Sequence, residues 1–236
     1  MKMLLFDIDG TLLKTGGAGK IAFERVFLEL FGIKEAWGEL MPDGKTDPAI
    51  IHELCQNTMG RLPTEKEYGL ICENYLRYFE EEIERSTLFS LMPGTLQLIS
   101  FLADQKEFIL GVATGNFEAP SWSKLKKGKI HHFFKFGGFG SDSHDRVELT
   151  RQAILRGKKF FPGTIEQIYI IGDTPYDIQA GKKSGAKTIG VATGSYSKKD
   201  LQKSEPDYVL EDFSDTEIFL KLIRDGSLQR AVPKLG

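Results

Sequence analysis

Residues 2–12 read KMLLFDIDGTL. Met3, Leu4, Leu5 and Phe6 form a short unbroken apolar run, the pattern of a strand buried on both faces of a parallel sheet. The run stops at Asp7-Ile8-Asp9-Gly10-Thr11. Side chains two apart on a strand share a face, so Asp7 and Asp9 leave its carboxyl end into one small volume. Two carboxylates that close repel. The pair is tolerable when a divalent cation with oxygen ligands sits between them, or when one carboxyl is held protonated by its neighbour. Gly10 permits the sharp turn that follows, and Thr11 can close it. Asp and Gly are also ordinary turn formers, which leaves a plain strand end open as the alternative.

Downstream the chain changes character twice. The segment Thr15-Gly16-Gly17-Ala18-Gly19-Lys20 is not a P-loop, which needs glycine where Lys14 stands and Ser or Thr where Ile21 stands. Its glycines suit a hinge or flexible linker. Phe23, Val26, Phe27, Leu30 and Phe31 then recur at helical spacing from Lys20 to a stop at Gly32. Asp47-Pro48 starts a second helix, with Asp47 as its cap. A third begins at Thr64, where Thr64 and Glu67 make a capping-box pattern. Tyr68, Ile71, Cys72, Tyr75, Phe79 and Ile83 form its apolar stripe, and its aromatics read as core. Glu80, Glu81, Glu82 and Glu84 read as a solvated face. Residues 15–87 therefore read as an all-helical block inserted after the first strand.

From Met92-Pro93-Gly94 onward, strands and helices alternate. Strands are expected at Phe108–Ala113, near Phe133–Gly137, at Ile168–Ile171 and at Thr188–Ala192. Helices are expected near Gly94–Gln105, Pro120–Lys127, Arg146–Gly157 and Asp177–Ser184. This is the pattern of an α/β, doubly wound parallel sheet, built from residues 1–14 and 88–236. Ligands of such sheets bind beyond the carboxyl ends of the strands. At those ends stand Thr114-Gly115-Asn116 and Gly172-Asp173-Thr174-Pro175-Tyr176-Asp177. A hydroxyl and free amides at the first suit a phosphate oxygen, although Thr114 could equally cap a helix. Asp173 and Asp177 also favour a helix start, but facing Asp7 and Asp9 across the sheet they suit a cation. Gly-Val-Ala-Thr-Gly occurs at 111–115 and again at 190–194, and Thr193 of the second copy is read as structural.

Asp7-Ile8-Asp9-Gly10-Thr11 resembles the DxDGT signature of the haloacid dehalogenase-like hydrolases, and Gly172 to Asp177 resembles their GDxxxD motif. The resemblance implies a Rossmann-like core, with Asp7 as nucleophile forming an aspartyl-phosphate and Asp9 as general acid and base. It implies Mg²⁺ held by Asp7, the backbone carbonyl of Asp9 and Asp173, with Asp177 steadying that shell. Thr114 and the amide of Gly115 would bind the phosphoryl group together with a cation, usually a lysine at a helix start. Here the chain departs from the pattern. Lys158 and Lys159 lie too close to Asp173, so Arg146 is assigned, with surface pairing to Asp145 or Glu148 as the competing reading. Asp9 argues against the metal-free dehalogenases of the family. The helical insertion and Gly44-Lys45-Thr46-Asp47-Pro48 resemble the phosphoglycolate phosphatase and β-phosphoglucomutase branch, in which a helical cap closes over the sheet. In that setting Lys45 is read as reaching the substrate away from its phosphate, against the alternative of an exposed loop lysine, and Gly16, Gly17 and Gly19 as the hinge.

The implied activity is Mg²⁺-dependent hydrolysis of a small phosphorylated metabolite. Phosphoglucomutase-type transfer, and a non-catalytic receiver-like or adaptor domain, are the alternatives. The 236 residues carry 31 basic and 33 acidic side chains, a balance that offers no general field for nucleic acid. No apolar run approaches the roughly 20 residues of a membrane helix, and the charged start is unlike a signal peptide, so a cytoplasmic address is expected; the expected state is a monomer or homodimer. Cys55 and Cys72 read as buried thiols. Lys124, Lys126, Lys127 and Lys129 read as a solvated basic face.

Overall fold

The computed structural model describes residues 1–225. In chain order the first elements are β1 (Lys2–Phe6), β2 (Leu13–Lys14), α1 (Ala18–Phe31), α2 (Asp47–Met59), α3 (Glu65–Arg85), β3 (Ser90–Leu91), α4 (Thr95–Asp104) and β4 (Phe108–Ala113). Next come α5 (Glu118–Lys127), a 3-10 turn at His131–Phe133, β5 (Gly137–Gly138), α6 (Arg146–Phe160) and β6 (Gln167–Gly172). The last are α7 (Pro175–Lys183), β7 (Lys187–Val191), α8 (Lys198–Gln202), β8 (Tyr208–Leu210) and α9 (Thr216–Asp225).

β1 lies inside a six-stranded parallel sheet of order β5-β4-β1-β6-β7-β8, as the α/β doubly wound reading requires. Its two-residue alternation divides one apolar run between two cores. Leu4 and Phe6 enter a cluster with Val112, Ile171, Phe213 and Phe219, whereas Met3 and Leu5 enter the opposite one with Ile109, Leu149 and Ile170. Met3, Leu4, Leu5 and Phe6 are wholly buried, which is why the stretch has no polar alternation. The strand expected near Phe133–Gly137 is instead the 3-10 turn followed by two-residue β5. Packing explains the glycines there, because a Cβ on Gly138 would lie 2.0 Å from the Leu149 carbonyl oxygen of α6. β8 and α9 carry the alternation beyond the last expected strand.

α1, α2 and α3 surround a third apolar cluster that includes Phe23, Phe27, Leu54, Ile71 and Phe79. The chain enters and leaves this block through β2 and β3, an antiparallel ribbon pairing Leu13 with Leu91 and Lys14 with Ser90. Thr64 and Glu67 form both bonds of a capping box on α3. α2 is capped differently from expectation: the Thr46 hydroxyl accepts from the Ala49 amide, and Asp47 stands one residue inside the helix. That releases the Asp47 carboxylate for another use. The acidic face of α3 is not simply solvated either. Glu80 accepts from the Ser123 hydroxyl of α5, and the Glu84 carbonyl accepts from Lys127 at 2.9 Å.

Candidate active site

The Asp7 amide donates to the Ile171 carbonyl at 2.8 Å, which carries the sheet ladder one residue past β1. Asp7 therefore stands level with the end of β6, where Asp173 follows. Between them Gly10 turns with φ +78°, and a Cβ there would lie 2.5 Å from Asp173 Oδ2. Thr11 closes this approach by donating its hydroxyl to Asp173 Oδ1 at 2.8 Å. Gly194 is equally constrained, since a Cβ there would meet Asp173 Oδ2 at 1.7 Å. Thr193 beside it donates to the Gly10 carbonyl at 2.6 Å, the structural role expected of it.

One carboxylate oxygen from each of Asp7, Asp173 and Asp177 lies within 4.8 Å of the others, and all three residues are buried. Arg146, at the start of α6, reaches into the group. Its Nη2 is 3.0 Å from Asp7 Oδ1 and 2.6 Å from Asp177 Oδ1, and Nη1 donates to the Gly44 carbonyl at 3.3 Å. It is not a surface arginine paired with Asp145, whose carboxylate caps α6 by accepting from the Val147 amide. Burial pushes Asp7 up to about 7; Arg146 opposes the rise, while the Asp177 and Asp9 carboxylates add to it. Burial, then the Asp7 charge, pushes Asp173 well above the usual carboxylate range. Three buried carboxylates against one guanidinium leave surplus negative charge. An all-oxygen donor set of this kind fits a hard divalent cation. Asp177 is occupied: Oδ2 accepts from the Thr174 amide and hydroxyl at 3.1 and 2.7 Å, and Oδ1 accepts from Arg146. Asp7 and Asp173, but not Asp177, line the adjoining cavity.

The Asp9 side chain turns away from this group. Its Oδ2 accepts from Lys124 Nζ at 2.5 Å and from Asn116 Nδ2 at 2.7 Å. Lys124 thus departs from the expected solvated face. It is buried on the inward side of α5 beside Ser121 and Leu125, and its Nζ also donates to Asn116 Oδ1 at 2.5 Å. Thr114 is fully buried; its Oγ accepts from Asn116 Nδ2 at 2.7 Å. It does not cap α5, whose N-cap is Phe117. The Gly115 amide makes no hydrogen bond among the described residues and borders the cavity.

The helical block closes over this floor. The Asp47 amide donates to the Gly115 carbonyl at 2.8 Å, and the Phe117 amide donates to Asp47 Oδ2 at 2.7 Å. Burial pushes Asp47 up to about 6, with Lys124 opposing. A Cβ on Gly115 would lie 2.4 Å from the Lys45 carbonyl oxygen, so only glycine admits this loop. Lys45 lines the cavity, with Nζ 2.5 Å from Glu53 Oε2. The cavity is a partly open space of about 470 Å³, with the acidic floor below and Phe23, Trp37, Ile50 and Tyr75 among its upper walls.

Residues 4–191 match the family described as haloacid dehalogenase-like hydrolase. The chain belongs to that family. A phosphoglycolate phosphatase of Aquifex aeolicus is 26% identical over 226 residues, covering 91% of this chain and 94% of its own length. A pyrophosphatase PpaX of Anoxybacillus flavithermus is 32% identical over 214 residues, covering 90% and 93%. Among solved structures, that of a predicted phosphoglycolate phosphatase from Haemophilus somnus aligns with TM-score 0.71 at 20% identity, covering 95% of this chain and 98% of that one. At that identity the likeness establishes the fold. No helix among the described residues is long and apolar enough to cross a membrane.

For this haloacid dehalogenase-like hydrolase, Asp7, Asp173 and Asp177 meet at the strand ends, whereas the Asp9 carboxylate, expected in one small volume with Asp7, is drawn to Lys124 and Asn116 instead. Lys124 had no motif to announce its place at the site; Asn116 and Asp47 stood within quoted strings, Asn116 without a role of its own and Asp47 as a helix cap. A signal for Lys124 existed, since Ser121, Lys124 and Leu125 fall on one helical face that also buries Leu125.

Proposed function

We propose that the protein hydrolyses a small organic phosphomonoester, and that Asp7 is its nucleophile. The observation that carries this reading is the Asp7–Asp173 pair at one rim of the sheet, with the Arg146 guanidinium on Asp7. Asp7 attacks phosphorus, the bond to the leaving oxygen breaks, and an aspartyl-phosphate forms on Asp7. Asp9 gives its proton to the departing oxygen. Its carboxylate then takes a proton from the water that attacks phosphorus, which releases phosphate and restores Asp7. Mg²⁺, when held by Asp7, Asp173 and the Asp9 backbone carbonyl, supplies positive charge against the phosphoryl oxygens.

Three further groups suit the phosphoryl oxygens. Arg146 offers a fork, the Gly115 amide is a donor with no partner among the described residues, and the Thr114 hydroxyl, accepting from Asn116, keeps its own proton to donate. The helical block acts as a lid, hinged where Gly16 and Gly17 follow β2, and Lys45 contributes to substrate choice from the cavity wall. Curated relatives named phosphoglycolate phosphatase and pyrophosphatase PpaX support a small phosphorylated substrate.

The test is phosphate release from a phosphomonoester panel with Mg²⁺, with EDTA, and with Asp7→Asn. Release is expected without any bisphosphate activator, and both EDTA and Asp7→Asn should abolish it. Undiminished turnover by Asp7→Asn would end the reading.

A further inference from the structure

The upper walls of the cavity differ in chemistry from its floor. Phe23 and Tyr75 stack with ring centroids 4.0 Å apart and planes 13° apart, and Trp37 lies against Phe23 at 6.2 Å. Tyr75 also lies tilted against Phe79 and edge-on to Phe117, and it is 1% exposed. Every one of those contacts would be made as well by phenylalanine. What tyrosine adds is a hydroxyl, and that hydroxyl makes no hydrogen bond among the described residues. Tyrosine hydroxyls sealed in protein ordinarily find a partner there; the Tyr75 hydroxyl is not sealed but opens on the cavity. This one lies near Gly19, where a built Cβ would be 3.5 Å away, and both residues line the cavity. Burial pushes its pKa well above the usual phenol range, so it is a neutral group able to donate and accept.

The cations lining the cavity are either matched by carboxylates or exposed. Arg146 is held by Asp7 and Asp177, Lys124 by Asp9 and Lys45 by Glu53, while Lys14 and Lys20 are exposed. A second phosphate pressed against Phe23 and Trp37 would lose its hydration with no buried cation left to compensate it. A moiety with an apolar face loses nothing there. We propose that Tyr75 is a specificity-determining residue whose hydroxyl hydrogen-bonds an oxygen of the leaving group, and that this leaving group is an organic moiety with an apolar face, not a second phosphate. The inference rests on the phosphatase reading of Asp7.

The experiment compares wild type, Tyr75→Phe and Asp7→Asn with Mg²⁺ on sugar phosphates, carboxylate-bearing alkyl phosphates, phenyl phosphate and inorganic pyrophosphate. Phenyl phosphate presents an apolar face with no second oxygen, so it serves as the reference. The best wild-type substrate should be an organic monoester. In Tyr75→Phe the ratio of its kcat/KM to that of phenyl phosphate should fall about 10-fold, chiefly through KM, as expected for one lost hydrogen bond. The ligand-free variant should melt no lower than wild type, because no internal bond is removed. An unchanged ratio, a preference for pyrophosphate, or a lower Tm for Tyr75→Phe would overturn the inference. If Asp7→Asn is inactive while the ratio is unchanged, only the role of Tyr75 fails; if Asp7→Asn retains turnover, the phosphatase reading itself fails.

Discussion

Asp47 gives the most quantitative expectation. The residue is 4% exposed, and burial raises its pKa from 3.8 to about 6, against the pull of Lys124 and the Phe117 amide. A raised carboxyl pKa means that the folded protein holds this proton more tightly than the unfolded chain. With respect to this group, stability is greatest below pH 3.8, declines as pH rises toward about 6, and stays low above it. The accumulated cost of keeping Asp47 ionised is about 3 kcal/mol at pH 7.5 and about 1 kcal/mol at pH 4.5. Asp47→Asn keeps the side-chain shape and an oxygen that can accept from the Phe117 amide, but never ionises. Denaturant midpoints for wild type and variant at the two pH values isolate the difference. The variant should be more stable by about 2–3 kcal/mol at pH 7.5, shrinking to about 1 kcal/mol at pH 4.5. A gain of equal size at both pH values, or a loss at pH 7.5, would refute the reasoning.

Other expectations follow from the same contacts. Lys124→Met removes the partner that orients Asp9; kcat on an alkyl phosphate should fall about 10–100-fold while p-nitrophenyl phosphate, whose leaving group needs little protonation, falls far less. Equal losses on both would argue that Lys124 serves the fold and not the acid. Gly115→Ala places a methyl 2.4 Å from the Lys45 carbonyl oxygen, so the lid loop must shift; a loss of about 1–3 kcal/mol in stability and a raised KM are expected, read by denaturation and steady-state kinetics. Arg146→Lys keeps the charge but cannot hold Asp7, Asp177 and the Gly44 carbonyl together; kcat/KM should fall at least about 10-fold, and wild-type kinetics would show the fork to be dispensable.

What the sequence determined by itself is what short-range chemistry encodes. An apolar run ending in Asp7-Ile8-Asp9-Gly10-Thr11 reads as a doubly buried strand with carboxylates at its tip, and Leu4 with Phe6 and Met3 with Leu5 divide between two cores as the pleat requires. The capping box at Thr64 and the glycine stop of α1 were equally local, and each formed as written. The direction of a side chain across an interface was not local. Asp47 reads as a helix cap because Asp-Pro caps helices, yet Thr46 has that place and the Asp47 carboxylate reaches the Phe117 amide seventy residues away. Lys124 reads as one lysine in a basic cluster, and only the docking of α5 against the sheet end turns it inward to Asp9. The Tyr75 ring belongs to an apolar stripe in any sequence reading, but whether its oxygen meets a partner or an open cavity depends on how three helices close over the sheet. Local patterns fix what a residue can do; the tertiary packing chose its partner.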